Sequence, residues 1–239
     1  MPASRHVGSS LCIAAASLCI GAAVLGVFRV HQQLATAAGE LVGGEAAGIF
    51  AAGEIVNGCY SNRVVGVVIE LPKDWHIMSL NAMRRAKHSG AYAAAGDDAR
   101  WAEQLAAARR GVYALLAARR YPDAFTGYNP SLTLNAYDKR TVAATGVRTL
   151  EAYASSFTML REPYHTRNGP SRERFGTETG YHVHVEGRFP SATIQQHVYA
   201  TETDTLYLVL TASVMDERDL GAMQQAISTL RVIKTPAKK

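Results

Sequence analysis

The most regular alternation of apolar and polar positions lies between Gly180 and Val214, where the pattern predicts three consecutive strands. In Gly180–Arg188, Tyr181, Val183 and Val185 alternate with His182, His184 and Glu186. A period of two sends one set to each face of a sheet. Ala192–Thr201 and Thr205–Val214 follow, with turns at Pro190-Ser191 and Thr203-Asp204. Leu206, Leu208 and Leu210 alternate with Tyr207 and Val209, so the last strand is apolar on both sides. That is the pattern of a strand in a sheet covered on both faces.

Upstream, the pattern predicts a folded domain from near Gly58. Val64–Leu71 (VVGVVIEL) is rich in β-branched residues and ends at Pro72, as a strand would. Ile77–Leu80 is its expected partner strand. Asn81–Gly96 is Ala-rich and basic, an irregular excursion with a helical turn. Asp97 or Asp98 caps a helix to about Arg110, with Trp101, Leu105 and Ala108 on one stripe. Val112–Ala118 is a buried strand or a continuation of that helix, and periodicity does not separate the two. Ser131–Tyr137 is a strand. Thr145 is expected to cap a helix carrying Val147, Leu150, Ala154 and Phe157, closed by Pro163. Tyr164–Gly176 is polar and turn-rich, with a short strand at Arg172–Phe175. Asp216 caps the last helix, with Asp219 as a capping-box analogue. Its stripe is Leu220, Met223, Ile227 and Leu230, and Val232-Ile233 returns as an edge strand.

The amino terminus changes the picture of where this domain works. Leu11–Phe28 carries no charge over about 18 residues, close to the length that crosses a bilayer as a helix. Ala35-Thr36-Ala37 offers a small-residue cleavage site. An uncleaved anchor and a cleaved signal both remain open, and either exports the rest of the chain. The organisation expected is a signal or anchor at 1–30, an Ala/Gly-rich spacer at 31–57, the domain at 58–235 and a basic tail at 236–239. At 48% hydrophobic and 19% charged residues the chain has the composition of a globular protein. The formal charge of +5 comes from dispersed basic pairs such as Arg84-Arg85 and Lys139-Arg140, so no nucleic-acid partner is expected. Cys12 and Cys19 lie in the apolar run, which leaves Cys59 without a partner for an intradomain disulfide or a zinc motif.

Candidate chemistry gathers on the predicted meander. A two-residue loop at Pro190-Ser191 puts Phe189 opposite Ala192, and that register sets His184 opposite His197. His182 then faces Tyr199, and Glu186 faces Gln195. Cross-strand neighbours lie about 4.5–5.5 Å apart, so His182, His184 and His197 could together hold Zn²⁺ or Cu²⁺. Alternatively they are half-buried, hydrogen-bonded side chains of a polar sheet face. No GxSxG elbow, Cys-His signature or Gly-rich phosphate loop is present, so no catalytic residue and no cofactor is assigned. Tyr92, Phe125 and Tyr128 are candidate anchors for a partner, or else core residues.

The order of short motifs resembles a known superfamily. Gly58-Cys59-Tyr60-Ser61-Asn62 opens into an apolar strand ending at Leu71-Pro72, then Trp75. Leu115-Leu116, Asn129-Pro130-Ser131-Leu132, an amphipathic helix, a meander opened by Gly180-Tyr181 and a closing helix follow. Over roughly Gly58 to Ile233 this is similar to the PsbP-like superfamily, which includes the photosystem II extrinsic subunit and bacterial DcrB-type envelope proteins. The resemblance implies an α+β fold, an α/β/α sandwich with a central antiparallel sheet and helices on both faces. It also implies a binding or accessory role with no shared catalytic residues. The expectation is a non-enzymatic, membrane-attached binding protein, its domain periplasmic or at the cell surface, and secreted if the leader is removed. Its partner would be an envelope protein or small ligand. The alternative is a metal-binding protein or metal-dependent envelope enzyme using the histidine group.

Overall fold

The computed structural model describes residues 53–79, 82–83, 112–122, 125, 127–144, 146–160, 162–190 and 192–233. The predicted membrane span, most of the spacer, Leu80, Tyr92, the helix from Asp97 or Asp98, Thr145 and the basic tail lie outside the described residues. No helix among the described residues is long and apolar enough to cross a membrane.

Seven strands form one antiparallel sheet. β4 (His76–Ile77), β5 (Val112–Arg119) and β6 (Ser131–Asp138) run consecutively from one edge. The chain then crosses to the opposite edge through two short helices, α1 (Lys139–Ala143) and α2 (Leu150–Ser156). β7 (Tyr164–Phe175), β8 (Glu178–Phe189), β9 (Ala192–Glu202) and β10 (Leu206–Val214) meander back, and β10 closes on β6 from Leu206↔Asp138 to Ser213↔Ser131. Every residue of β10 is buried, as its two-sided apolar pattern requires of a strand with neighbours on both sides and cover on both faces.

One face packs on α2. Tyr153 and Phe157 are wholly buried there against Val183, Val185, Val198 and Val209, and Tyr153 stacks on Tyr207 at 4.6 Å between centroids. The other face packs on α3 (Glu217–Ile227) and on a second, four-stranded antiparallel sheet. That smaller sheet holds β1 (Glu54–Val56), β2 (Cys59–Asn62), β3 (Val67–Glu70) and β11 (Arg231–Val232). Val67 and Ile69 meet Leu132, Leu134, Leu208, Leu210, Met223 and Leu230 in the larger of the two main apolar clusters. The fold is therefore α+β and layered, with few helices among the described residues. One outer layer is part helix and part sheet, where the resemblance implies helices alone.

Several local expectations are corrected. VVGVVIEL is not one strand, because Asn62 Oδ1 accepts from the amides of Val64 and Val65 and turns the chain at residues 63–66 before β3. The residues just before Gly58, read as spacer, form β1. β4 pairs with β5, not with the strand ending at Leu71. Val112–Arg119 resolves as a strand. The helix expected from Thr145 begins only at Leu150, capped by Thr149, whose hydroxyl accepts from the Ala152 amide, and a short helix the pattern did not predict, α1, precedes it with Asp138 as its cap. Tyr164–Phe175 is a full strand. Asp216 does cap α3 through the Arg218 amide, but Asp219 pairs with Arg120 at 3.2 Å instead of closing a capping box. The closing strand, Arg231–Val232, joins the smaller sheet beside β3.

Candidate functional site

The predicted hairpin register holds. Phe189 faces Ala192, Glu186 faces Gln195, His184 faces His197 and His182 faces Tyr199. These side chains share the sheet face on which α3 packs. His197 lies opposite Ala212 of β10, and Tyr199 lies opposite Leu210, inside the larger apolar cluster. The histidines occupy the corner of this face toward the β7 edge.

β7 supplies the rest of the site. Its register sets His165 opposite Glu186 and Ser171 opposite His182, with irregular pairing around Asn168. Pro170 has no amide to donate, which an edge strand tolerates. Gly169 has φ of 106°, and a Cβ there would come within 2.6 Å of the His182 carbonyl oxygen. Glycine thus lets β7 press close against β8.

The rings form a column. Tyr199 and His182 lie 4.5 Å apart, His182 and His197 5.2 Å, and His197 and His184 4.3 Å, with neighbouring planes within 9° to 16° of parallel. A hydrogen-bonded chain runs through them. The Ser171 hydroxyl donates to Glu173 Oε1 at 2.7 Å, Glu173 Oε1 meets His182 Nδ1 at 3.1 Å, and His182 Nε2 meets His197 Nδ1 at 3.1 Å. His197 Nε2 and His184 Nε2 are buried and have no hydrogen-bond partner. A second group sits beside it: Glu186 accepts from Arg188 at 2.6 Å and pairs with His165 at 3.0 Å and Arg167 at 3.4 Å.

Burial, then the neighbouring His184 and His182, hold His197 down to about 4, with Glu173 opposing. Burial also lowers His184, helped by His182 and Arg167. Burial pushes the Glu173 carboxyl up, but the Ser171 hydroxyl and His182 reverse this and leave it below the usual carboxylate range. The hydrogen bonds from Arg188 and His165 hold Glu186 below that range too. Burial and Glu173 push Tyr199 up to about 12. At neutral pH His197 and His184 are thus uncharged, beside the paired charges of Glu186 and its arginines at the rim.

The structure brings together the three predicted histidines but not the aromatic candidates. Phe125 is exposed and packs against Tyr121, the rings tilted by 30° with centroids 4.4 Å apart. Tyr128 is half-buried and donates to Ser213 Oγ at 3.0 Å, on the opposite sheet face. Tyr92 lies outside the described residues. Glu173, Ser171, His165 and Arg167 are additions that the sequence reading left unpaired. Their signal was the β7–β8 turn at Gly176-Thr177, which fixes the register from Phe175↔Glu178 to Ser171↔His182, while the two irregularities around Asn168 are what bring His165 opposite Glu186. No group of three or more metal-ligating side chains is assembled among the described residues.

The arrangement belongs to the class of antiparallel sheet proteins with both faces covered and one polar corner left open. No protein-family model matches the chain, and no curated protein matches it. The solved structures to which it is similar include the following two. One, from Bacteroides thetaiotaomicron VPI-5482 and solved at 1.50 Å, gives a TM-score of 0.37 at 11% identity, covering 73% of this chain and 47% of its own. The chain thus spans about half the length of that protein. The other is LpqN, involved in cell envelope biogenesis of Mycobacterium tuberculosis, with a TM-score of 0.41 at 11% identity, covering 70% of this chain and 83% of its own.

Proposed function

We propose that this chain is a membrane-attached accessory protein of the cell envelope that displays a PsbP-like domain outside the cytoplasm. It binds an envelope protein or small ligand and carries out no reaction on it. The recognition surface is the corner built from β7, β8 and β9. One observation carries the reading: beside a closed apolar core, this corner concentrates four imidazoles, two carboxylates and two guanidinium groups, with Glu173 paired to His182 and Glu186 to His165 and Arg167 across strands. Such preorganised polar groups beside an apolar floor give specificity to a binding site. The Ser171 hydroxyl is committed to a carboxylate and Cys59 lies in the other sheet, so neither serves as a nucleophile for these imidazoles. The uncharged run at Leu11–Phe28 supplies the membrane attachment.

The test uses the full chain in its native host with a photo-crosslinking residue in place of Thr193, an exposed position on the same face. The chain is expected in the membrane fraction, with the domain digested by protease added outside the inner membrane. Cross-links to a discrete partner or ligand should be lost in a His182→Ala/Glu186→Ala variant. A cytosolic chain, or cross-links indifferent to that variant, would contradict the proposal.

A further inference from the structure

The backbone of β7 is poised for a further strand between Ser171 and Phe175. The β7–β8 loop has two residues, and φ is positive only at the first, Gly176, as in a type II′ turn. Such a loop closes on a hydrogen-bonded pair, here Phe175 and Glu178, and along an antiparallel ladder bonded pairs alternate with non-bonded ones. Glu173 and Ser171 therefore bond inward to Gly180 and His182, while the amides and carbonyls of Arg172 and Arg174 point away from β8. β7 is the last strand of its sheet, so these four groups form a template for pairing. Pro170, with no amide to offer, ends it on one side. Side chains alternate in step. Phe175 and Glu173 face the histidine side, against Tyr199 and His182. Arg172 and Arg174 share the other face with Tyr181, both exposed, and neither guanidinium pairs with another described residue.

We propose that this edge takes up an extended, acidic segment of a partner protein as an antiparallel eighth strand. The guest's main chain completes the bonds of Arg172 and Arg174, and two acidic side chains two positions apart stand opposite the guanidinium groups. The residue between them lies beside Glu173 and is not acidic. The same charges reject the obvious competitor, a second copy of this chain. Antiparallel pairing of two such edges about Glu173 sets Arg172 of each copy against Arg174 of the other, and like charges directly opposite destabilise a ladder. Arginines that guard the edge against self-pairing thus select an acidic guest. The inference rests on reading the β7–β9 corner as the recognition surface, and it names the partner's chemistry at the rim of that corner.

The test adds a synthetic peptide of about eight residues, alternating glutamate and threonine, to the isotope-labelled full chain in detergent at low salt. Binding is expected, with hydrogen exchange slowed at the Arg172 and Arg174 amides. In the bound strand the glutamate amides face β7. Methylating them should abolish binding, whereas methylating the threonine amides should leave it. Arg172→Glu/Arg174→Glu should weaken this peptide about 10-fold or more and accept a lysine–threonine peptide in its place. Near-ultraviolet circular dichroism checks that the variant is folded. No binding, binding that leaves those two amides unprotected, or binding indifferent to which amides are methylated overturns the proposal. Protection that grows with chain concentration in the absence of peptide would make a second copy the occupant and overturns it too. If the Thr193 cross-links are lost in the His182→Ala/Glu186→Ala variant while the peptide does not bind, the recognition surface stands and the edge alone fails.

Discussion

His197 shows how a single position couples burial to chemistry. Its ordinary value near 6.5 falls to about 4 in the folded chain, first because burial penalises the imidazolium. Above 6.5 the residue is neutral folded or unfolded, and this contribution to stability is at its full value. As pH falls from there toward 4, the unfolded chain takes up a proton that the folded chain refuses, and stability drops. Urea denaturation across that window should therefore show a steeper loss for the natural protein than for His197→Gln; parallel curves would refute the assignment. Glu173 and Glu186 act in a lower window, since their stabilisation disappears only as pH falls below the ordinary carboxylate value and through their depressed values. The face of His182, His184 and Glu186 could be read from alternation alone. Their bonding could not, because Glu173 and His165 come from a strand interrupted by Gly169-Pro170, whose composition signals a turn.

At the level of elements, turn chemistry decides what is legible. The two-residue loop at residues 190–191 fixed the β8–β9 register to the residue, because side chains repeat every two positions and a short loop leaves no slack. The smaller sheet was hidden, since β3 pairs with β11, which is far along the chain, through only Val67↔Val232 and Val68↔Arg231. Gly176 connects these levels. It turns β7 into β8 with φ of 60°, and a Cβ there would run into the Leu230 carbonyl at the end of α3. Gly176→Ala should cost about 1–3 kcal/mol of overpacking, with added strain from the left-handed backbone, read as a lowered denaturation midpoint. Thr149→Ala removes the acceptor for the Ala152 amide and should cost about 1 kcal/mol. An unchanged midpoint in either variant would contradict the account of that element.

Across the whole molecule, the larger sheet is held between two apolar clusters that differ in construction. On one side α2 contributes Tyr153 and Phe157, both wholly buried. Phe157→Ala should therefore cost about 3–5 kcal/mol in equilibrium unfolding, and a cost near zero would remove α2 from the core. On the other side α3 and the smaller sheet close most of the face and leave the histidine corner at the β7 edge. The layered α+β architecture was visible in the strand and helix patterns, whereas the mixed outer layer depended on pairings remote in sequence. Placement outside the cytoplasm rests on Leu11–Phe28 and belongs to the fractionation test.

The account turns on whether the corner built from β7, β8 and β9 is the recognition surface. The most direct measurement is cross-linking from the exposed Thr193 position in the full chain, compared between the natural corner and the His182→Ala/Glu186→Ala variant. The expected result is cross-links to a discrete partner or ligand that the variant loses. Cross-links unchanged in the variant would contradict it.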